Sequence, residues 1–255
     1  MEHKKEHFFA NRIHELAERA YVGEYPVFTD FLTTKEYMIV TQCQKDMRGV
    51  SLMFWGGHED CSHVMAGFFP LDWFNRTIDA FPIVCIRVVP QDKRYAQTLS
   101  HRDYLGAILN LGIERAVIGD IRICDQTAFV FCKRDFASFV VENFTTVKHT
   151  LVNCEIMHSL EQIPPQQYKE LSHSVASLRL DNVVSAMTGL SRGKASDLIR
   201  QGLVIAGHEE RTSVSFTCRD NMIITIRKYG KYRLRVLEDA VTRKGKQKII
   251  IYKFI

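Results

Sequence analysis

The sequence has no apolar run that approaches the 18–20 residues needed to cross a membrane, so it predicts no transmembrane span. Its first residues, M-E-H-K-K-E-H, carry both signs of charge and are not followed by an uninterrupted apolar segment, which argues against a secretory signal. No two of the seven cysteines form a C-x-x-C pair. The cysteines therefore predict neither a disulfide framework nor a zinc ribbon, and reduced thiols in the cytosol fit best.

What the chain does have is ample material for packed cores and an uneven charge. With 255 residues, 46% of them apolar, and with 16 Phe and 9 Tyr, it cannot be mainly disordered. Residues 174–255 hold 16 basic and 7 acidic side chains, a net +9, whereas residues 1–173 hold 18 and 22, a net −4. A basic segment joined to a mildly acidic body predicts that one end binds a polyanion, and a solvated basic surface is the alternative.

Residues 1–75 are predicted to form a small α+β unit. Apolar side chains recur every three or four residues in its first helix, and Thr33 or Thr34 can cap the second. The predicted helices are residues 7–20 and 34–47, and the predicted strands are residues 50–55 and 64–69.

Residues 76–160 are predicted to form a ferredoxin-like domain with the β-α-β-β-α-β order that RNA-recognition domains also have. Ser100 caps the first helix, with Asp103 at the capping-box position. Phe129 and Phe131, on the third strand, are predicted to be core residues rather than a base platform, because the RNP sequence pattern is missing. The predicted elements are strand 82–89, helix 101–112, strands 116–123 and 127–132, helix 134–143 and strand 150–156.

Two short helices followed by a twisted β-ribbon are predicted for residues 174–255. The two prolines at 164–165 and the polar residues up to His173 indicate a linker before this domain. Ser191 caps the second helix and Gly202 ends it. The predicted elements are helices 177–188 and 192–201 and strands 203–205, 213–217, 222–226, 229–237 and 248–254.

Three patterns are similar to catalytic or metal sites, and each has a simpler interpretation. The H-R-D at 101–103 matches a protein-kinase loop, but the glycine-rich loop and the D-F-G metal site are absent. The metal-ligand types within 57–63 lack the paired spacing of a tetrahedral site, so a polar loop is predicted. The R-L-D at 179–181 is similar to the catalytic segment of some pseudouridine synthases, but its helical continuation favours Asp181 orienting Arg179 or the helix start. We predict no catalytic residue, no metal and no cofactor.

The most specific pattern is a capped basic helix followed by a basic ribbon. Free N–H groups and the positive dipole end behind Ser191 form a ready phosphate site. Small residues at 193 and 195 would let an RNA backbone approach, and Tyr229 and Tyr232, placed between basic residues, could stack on unpaired bases. The basic groups are predicted to form one surface along the ribbon. The predicted RNA-binding residues are Arg179, Ser191, Arg192, Lys194, Arg200, Arg227, Lys228, Tyr229, Lys231 and Arg233.

This pattern resembles an S-four RNA-binding domain, whose usual elements are R-L-D, S-R-x-x-A, L-I-x-x-G-x-V-x-V-N-G and G-D. The chain keeps most of them and departs at Ala206, where Asn is usual, and at Arg219, where Gly is usual. Over essentially its whole length, the chain is also similar to YlmH-type proteins. The segments that carry this similarity are T-D-F-L (29–32), F-W-G-G (54–57), H-R-D-Y-L-G-A-I-L-N-L-G-I-E-R (101–115), I-G-D-I (118–121) and V-A-S-L-R-L-D (175–181).

The resemblance implies a cytoplasmic, non-enzymatic RNA-binding protein of ribosome-associated quality control. In such proteins the S-four domain contacts ribosomal RNA and tRNA on a stalled large (50S) subunit, and partners from quality control or cell division are expected. No membrane and no small-molecule substrate is expected. Two alternatives stay open: a pseudouridine-synthase-like RNA-modifying enzyme anchored by its S-four domain, and a protein-interaction scaffold linked to cell division.

Overall fold

The structure, a computed structural model, confirms the predicted α+β class. It describes residues 2–74, 76–94, 96–157, 163–241 and 245–255. The chain divides into two compact units, unit 1 (Met1–Pro164) and unit 2 (Pro165–Ile255). The boundaries at 75 and 160 within unit 1 stay predictions, and residues 158–160 lie outside the described part of the chain.

Unit 1 begins with two helices on a small antiparallel sheet of strand order β1-β3-β2. The elements are α1 (Glu2–Gly23), β1 (Val27–Phe28), α2 (Thr34–Cys43), β2 (Val50–Trp55) and β3 (Met65–Pro70). Ile13 and Ala17 lie one turn apart on α1, so both face the core, where they are buried with Val40 and Phe68. The second helix is shorter than predicted because the chain continues beyond Cys43 as a 3₁₀ turn, Gln44–Asp46.

The remainder of unit 1 is a five-stranded antiparallel sheet with two helices. The elements are β4 (Ile83–Pro90), α3 (His101–Leu109), β5 (Ile118–Cys124), β6 (Thr127–Lys133), α4 (Arg134–Asn143), β7 (Thr146–Val147) and β8 (Thr150–Ile156). The order β5-β6-β4-β8-β7 contains the predicted ferredoxin-like arrangement, to which the two-residue strand β7 adds an edge. Phe129 and Phe131 are buried, as predicted.

Carboxylates fix the starts of two helices in unit 1. At α2 the Thr33 N–H donates to Glu36 Oε2 at 2.8 Å and the Glu36 N–H donates to Thr33 Oγ1 at 3.3 Å, which completes a capping box. At α3 the N–H and the hydroxyl of Ser100 both donate to Asp103 Oδ2 at 2.8 Å. Asp103 also pairs with Lys148 at 2.8 Å, and these contacts lower the pKa of its carboxyl to about 2. The H-R-D segment is therefore the start of a helix.

Unit 2 packs two helices on one face of a six-stranded antiparallel sheet. The elements are β9 (Tyr168–Val175), α5 (Leu180–Thr188), α6 (Arg192–Arg200), β10 (Val204–Ala206), β11 (Glu209–Glu210), β12 (Ile223–Ile226), β13 (Gly230–Val241) and β14 (Gln247–Phe254), in the order β11-β10-β12-β13-β14-β9. Leu180 and Val184 from α5 and Ile199 from α6 are buried against Ile224 and Leu234 of the sheet.

Three predictions for unit 2 are wrong in detail. The predicted linker is a strand from Tyr168 onwards, because its backbone pairs with β14 over eight residue pairs although most of its side chains are polar and exposed. Helix α5 begins at Leu180 rather than at 177, since Arg179 is extended and forms an isolated bridge to Thr217. Residues 213–217 form turns and that bridge rather than a strand.

Two further observations concern membrane spanning and the cysteines. Within its described residues, no helix combines the length and the apolar character that spanning a membrane requires. The seven cysteines are free thiols, five of them buried, and burial raises the pKa of Cys85, Cys132, Cys154 and Cys218 to about 12.

Candidate nucleic-acid interface

A buried carboxylate holds two arginines at the start of helix α5. The Asp181 side chain is only 3% exposed, whereas those of Arg179 and Arg192 are 38% and 58% exposed. Arg179 donates from Nε and Nη2 to the two carboxylate oxygens at 3.3 and 3.2 Å, and Arg192 donates from Nε and Nη2 to Oδ2 at 2.9 and 2.8 Å. The Asn182 N–H adds a fifth contact at 2.9 Å. The carboxylate therefore fixes the inner edges of both guanidinium groups and leaves the rest of each group exposed to solvent.

The charge balance of this cluster favours an anion on its outer side. Burial by itself raises the pKa of Asp181, but the hydrogen bonds and charges of Arg179 and Arg192 outweigh burial and lower it. The carboxylate is thus ionised at neutral pH, and two cations on one anion leave a net +1. The structure confirms that Asp181 orients Arg179, and it adds Arg192, which comes from the next helix.

Helix α6 carries a basic, exposed face from its first turn to its last residue. Ser191 caps the helix by accepting a hydrogen bond from the Lys194 N–H at 3.4 Å, and Ser191, Arg192 and Lys194 are all exposed. Arg200 lies about 12 Å farther along the axis, at a rise of about 1.5 Å per residue. Its pair with Asp197, at 3.7 Å between two exposed side chains, is too weak to neutralise it firmly.

The two small residues of this helix face in different directions. Gly193 is exposed and a side chain there would meet nothing within 4 Å, so the surface is open at that point. Ala195 is fully buried in the core of unit 2. The interpretation of Ala195 as a point of backbone approach is therefore wrong, because its side chain is part of the core.

Arg227, Lys228 and Tyr229 form the turn between β12 and β13. The Arg227 N–H donates to Leu203 O at 2.9 Å, which places this turn beside the end of α6, where Arg200 lies. Arg227 and Lys228 are exposed, and Lys228 has a φ of +73°. Tyr229 is half-buried against the core, so only part of its ring can be reached from solvent.

Lys231 and Arg233 lie on the opposite face of the sheet from the helices. They alternate along β13 with Tyr232 and Leu234, which are buried under α5 and α6, and successive strand residues point to opposite faces. The prediction of one basic surface along the ribbon is therefore wrong for these two residues. Tyr232 is 2% exposed and its hydroxyl donates to Tyr229 O at 3.0 Å, so its ring is a core residue and cannot stack on a base.

The loop at residues 57–63 contacts a buried carboxylate in unit 1. Asp120 on β5 accepts hydrogen bonds from the Ser62 N–H at 2.6 Å and from the His63 N–H at 3.1 Å, and it contacts His63 Nδ1 at 2.7 Å. Arg115 lies 3.0 Å from the other ring nitrogen of His63. These contacts anchor the loop to the sheet. In the part of the chain that the structure describes, no three His, Cys, Asp or Glu residues are grouped to hold a metal ion.

Sequence reasoning predicted Arg192 as an RNA-binding residue but missed its contact with Asp181, and it also missed a group of aromatic residues, because both depend on tertiary pairing. Arg192 is eleven positions from Asp181, and only the packing of α6 beside α5 joins them. The aromatic residues Tyr168, Tyr252 and Phe254 surround Lys231 and Arg233 on the outer sheet face, and they come from two strands whose pairing has no local signal. Within β14, Tyr252 and Phe254 lie two positions apart and so point to the same face, which is the one local indication of this aromatic group.

Two family models match the chain. Residues 79–162 match the model described as "Putative RNA-binding domain in YlmH", and residues 178–224 match the S4 domain model. The first range includes Asp120. The second includes the Asp181 cluster, helix α6 and the start of β12, but not β9, β13 or β14.

Similar proteins are found along most of the chain. Over 222 residues it is 28% identical to "Ribosome-associated protein quality control protein P2" of Bacillus subtilis (strain 168), which covers 87% of this chain and 84% of that protein. Among solved structures, "Cell division protein ylmH from Streptococcus pneumoniae" is similar with a TM-score of 0.51 and 21% identity, over 63% of this chain and 95% of that one. The structural match shows a shared fold.

Proposed function

We propose that this chain, which is a YlmH-type protein with a C-terminal S4 RNA-binding domain, binds ribosomal RNA and tRNA on the stalled large ribosomal subunit. The proposal gives it a non-catalytic role in ribosome-associated quality control in the cytoplasm. Its contacts would be Arg179, Ser191, Arg192, Lys194 and Arg200, with Arg227, Lys228 and Tyr229 at the neighbouring turn.

The observation that carries the proposal is the cluster of Asp181, Arg179 and Arg192 beside the capped start of α6. A guanidinium held in place loses little side-chain freedom when it binds a phosphate, and its planar N–H groups match the oxygens of that ligand. Phosphate contacts of this kind position a protein on RNA. The cluster lies inside the range that the S4 model matches, and the protein to which 87% of the chain is similar is named as ribosome-associated.

The non-catalytic part of the proposal rests on the surroundings of two carboxylates. Asp103 is bound by Ser100 and Lys148. Asp181, the position that would correspond to a pseudouridine-synthase nucleophile, is buried under two guanidinium groups and has no open side toward a base. Both side chains have structural roles that explain their presence.

The experiment is binding of the purified chain to 50S subunits that carry peptidyl-tRNA, compared with empty 50S subunits and with 70S ribosomes, at several salt concentrations. We expect preferential binding to the tRNA-carrying 50S particle. Arg192→Glu/Arg200→Glu should weaken it strongly and flatten the dependence of log K on log salt by somewhat under one unit per lost phosphate contact, about 0.7–0.9.

The matched control is Lys45→Glu/Arg48→Glu, which makes the same change in net charge at two exposed positions of unit 1. It should bind like the wild type. Equal binding by the wild type and Arg192→Glu/Arg200→Glu would overturn the assigned surface. Failure of the wild type to bind any ribosomal particle would overturn the function itself.

A further inference from the structure

The outer face of the unit 2 sheet carries a cluster of aromatic and basic side chains. Phe254 pairs with Tyr168 across β14 and β9, and Arg233 pairs with Tyr252 across β13 and β14. Directly opposite residues in a sheet point to the same face, and Lys231 lies two positions before Arg233 on that face. We call these five residues the outer platform: Tyr168, Lys231, Arg233, Tyr252 and Phe254.

Contacts among these side chains fix the shape of the outer platform. The Tyr168 ring packs edge to face with Tyr252 at 5.7 Å and with Phe254 at 5.0 Å between centroids. Lys231 Nζ lies 4.7 Å from the Phe254 centroid. Arg233 Cζ lies 5.3 Å from the Tyr168 centroid, and its Nη2 donates to the Tyr168 hydroxyl at 3.2 Å. All five side chains are partly exposed.

The charges around the outer platform favour an anionic ligand. Glu170 pairs with Tyr252 and lies on the same face of the sheet as the outer platform. Arg235 lies on this face too, two positions beyond Arg233. Arg235 pairs with Asp220 at 3.1 Å, so its charge is offset locally. Lys231 and Arg233 bring two positive charges to this face and Glu170 one negative charge, and the two cations lie over the Phe254 and Tyr168 rings. Such a surface offers a cation that can bind a phosphate and an aromatic ring or guanidinium plane on which a base can stack. Both lie close enough together to contact the same nucleotide.

Single-stranded RNA fits this combination better than duplex RNA does. In a duplex the bases stack on one another and cannot reach an aromatic ring, whereas unpaired bases stack on aromatic rings and on arginine planes. A sheet face with aromatic rings between basic groups provides these contacts without requiring a particular base.

We propose that the outer platform is a second RNA-binding surface, which binds unpaired bases of a single-stranded segment. It lies across the sheet from the Asp181 cluster and outside the range that the S4 model matches. The inference goes beyond the proposed ribosomal function, because it requires single-stranded RNA alone and no ribosomal particle.

The test is fluorescence anisotropy of the full chain with a labelled uridine 12-mer, which has little structure of its own, and with the same 12-mer annealed to its complement. We expect tighter binding to the single strand. Tyr252→Leu keeps an apolar side chain but removes the ring, so it should weaken single-strand binding about tenfold and leave the salt slope unchanged. Arg233→Gln should flatten the slope by about 0.7.

Two variants separate a role in stacking from damage to the fold. Tyr252→Phe keeps the ring and should bind within about twofold of the wild type. Tyr21→Leu removes an exposed tyrosine from α1 and should have no effect.

Equal single-strand binding by the wild type and Tyr252→Leu would overturn the proposal. No binding by the wild type, or equal losses in Tyr252→Leu and Tyr252→Phe, would overturn it as well. Since the probe contains no ribosome, its result is independent of the 50S experiment. Arg192→Glu/Arg200→Glu should leave the ratio of wild-type to Tyr252→Leu affinity unchanged.

Discussion

Asp181 is the residue on which the geometry of the proposed RNA surface depends. Replacing it by Asn removes the charge that both arginines share, while a side chain of nearly the same volume remains. We expect the free energy of unfolding to fall by about 2 kcal/mol, the scale of lost charge-assisted hydrogen bonds at a buried site. Urea denaturation at pH 7 measures the difference. Asp197→Asn, which removes an exposed partner of Arg200, should change stability by less than about 0.5 kcal/mol.

The wild type and Asp181→Asn should also differ in how their stability depends on pH. The pKa of Asp181 in the folded state is lower than its ordinary value of 3.8, so its carboxylate stabilises the fold fully above that value. The stabilisation is lost as the pH falls through the lowered pKa. The gap between the wild type and Asp181→Asn should therefore be constant near neutral pH and should narrow below pH 3.8. A gap that widened on acidification would contradict this assignment.

At the residue scale, the sequence permitted the prediction of contacts only where partners are close along the chain. Arg179 and Asp181 are two positions apart, and Ser100 and Asp103 are three apart, so helix-start rules identify both pairs. The contact between Asp181 and Arg192 depends instead on how α5 and α6 pack. No local rule specifies that packing.

At the scale of a helix, α6 permits a test that separates capping from RNA contact. Asp is as good an N-cap as Ser, and a negative charge is favourable at a helix N-terminus, so Ser191→Asp should keep the stability of the wild type. The same charge would repel a phosphate bound there. We expect binding to the tRNA-carrying 50S particle to fall about fivefold, which corresponds to about 1 kcal/mol, the energy of two charges at 4 Å in water.

The control substitution is at the N-cap of α2. Thr33→Asp places an acidic N-cap on α2 and should leave ribosome binding unchanged. Because the Thr33 hydroxyl donates to Glu36 Oε2 at 2.8 Å, the new carboxylate would face that of Glu36, so this variant controls for binding and not for stability. Ser191→Ala, which loses the cap, should cost about 1 kcal/mol of stability. Undiminished ribosome binding by Ser191→Asp would exclude a phosphate at the start of α6.

The elements themselves were predicted well where periodicity and caps agree, and poorly where pairing partners are distant. Helix α4 and strand β8 have the predicted bounds, since flanking residues and apolar spacing define both. Strand β9 was predicted as a linker because an edge strand with exposed polar side chains has the composition of a loop. Its partner β14 is about 80 residues away.

At the scale of the whole molecule, the contacts between the predicted parts of unit 1 could not be anticipated. The predicted boundary near residue 75 is crossed by Lys133, which pairs with Asp30 at 2.8 Å, and by the Phe31 N–H, which donates to Ala116 O at 2.8 Å. Asp120 adds the anchors to Ser62 and His63 described above. These partners are 57 to 103 positions apart, so composition and periodicity contain no sign of them.

Asp120 provides the test of this interpretation of unit 1. In Asp120→Asn one of the two carboxylate oxygens becomes an NH₂ group, which must face a donor, either the Ser62 N–H or the backbone N–H of His63. We expect a loss of about 2–3 kcal/mol, the cost of a buried donor left without an acceptor where a charge is also removed. Both tryptophans, Trp55 and Trp73, belong to unit 1, so urea denaturation followed by tryptophan fluorescence reports on this unit.

Asp125→Asn is the matched control for that loss. It removes the same charge five residues later, at an exposed turn position with a φ of +54°, a conformation that Asn tolerates well. Its stability should stay within about 0.5 kcal/mol of the wild type. If Asp120→Asn were equally harmless, the Asp120 network would not hold the 57–63 loop to the sheet. The contact between the two predicted parts of unit 1 would then depend on apolar packing, on the Lys133–Asp30 pair and on the hydrogen bond from the Phe31 N–H to Ala116 O.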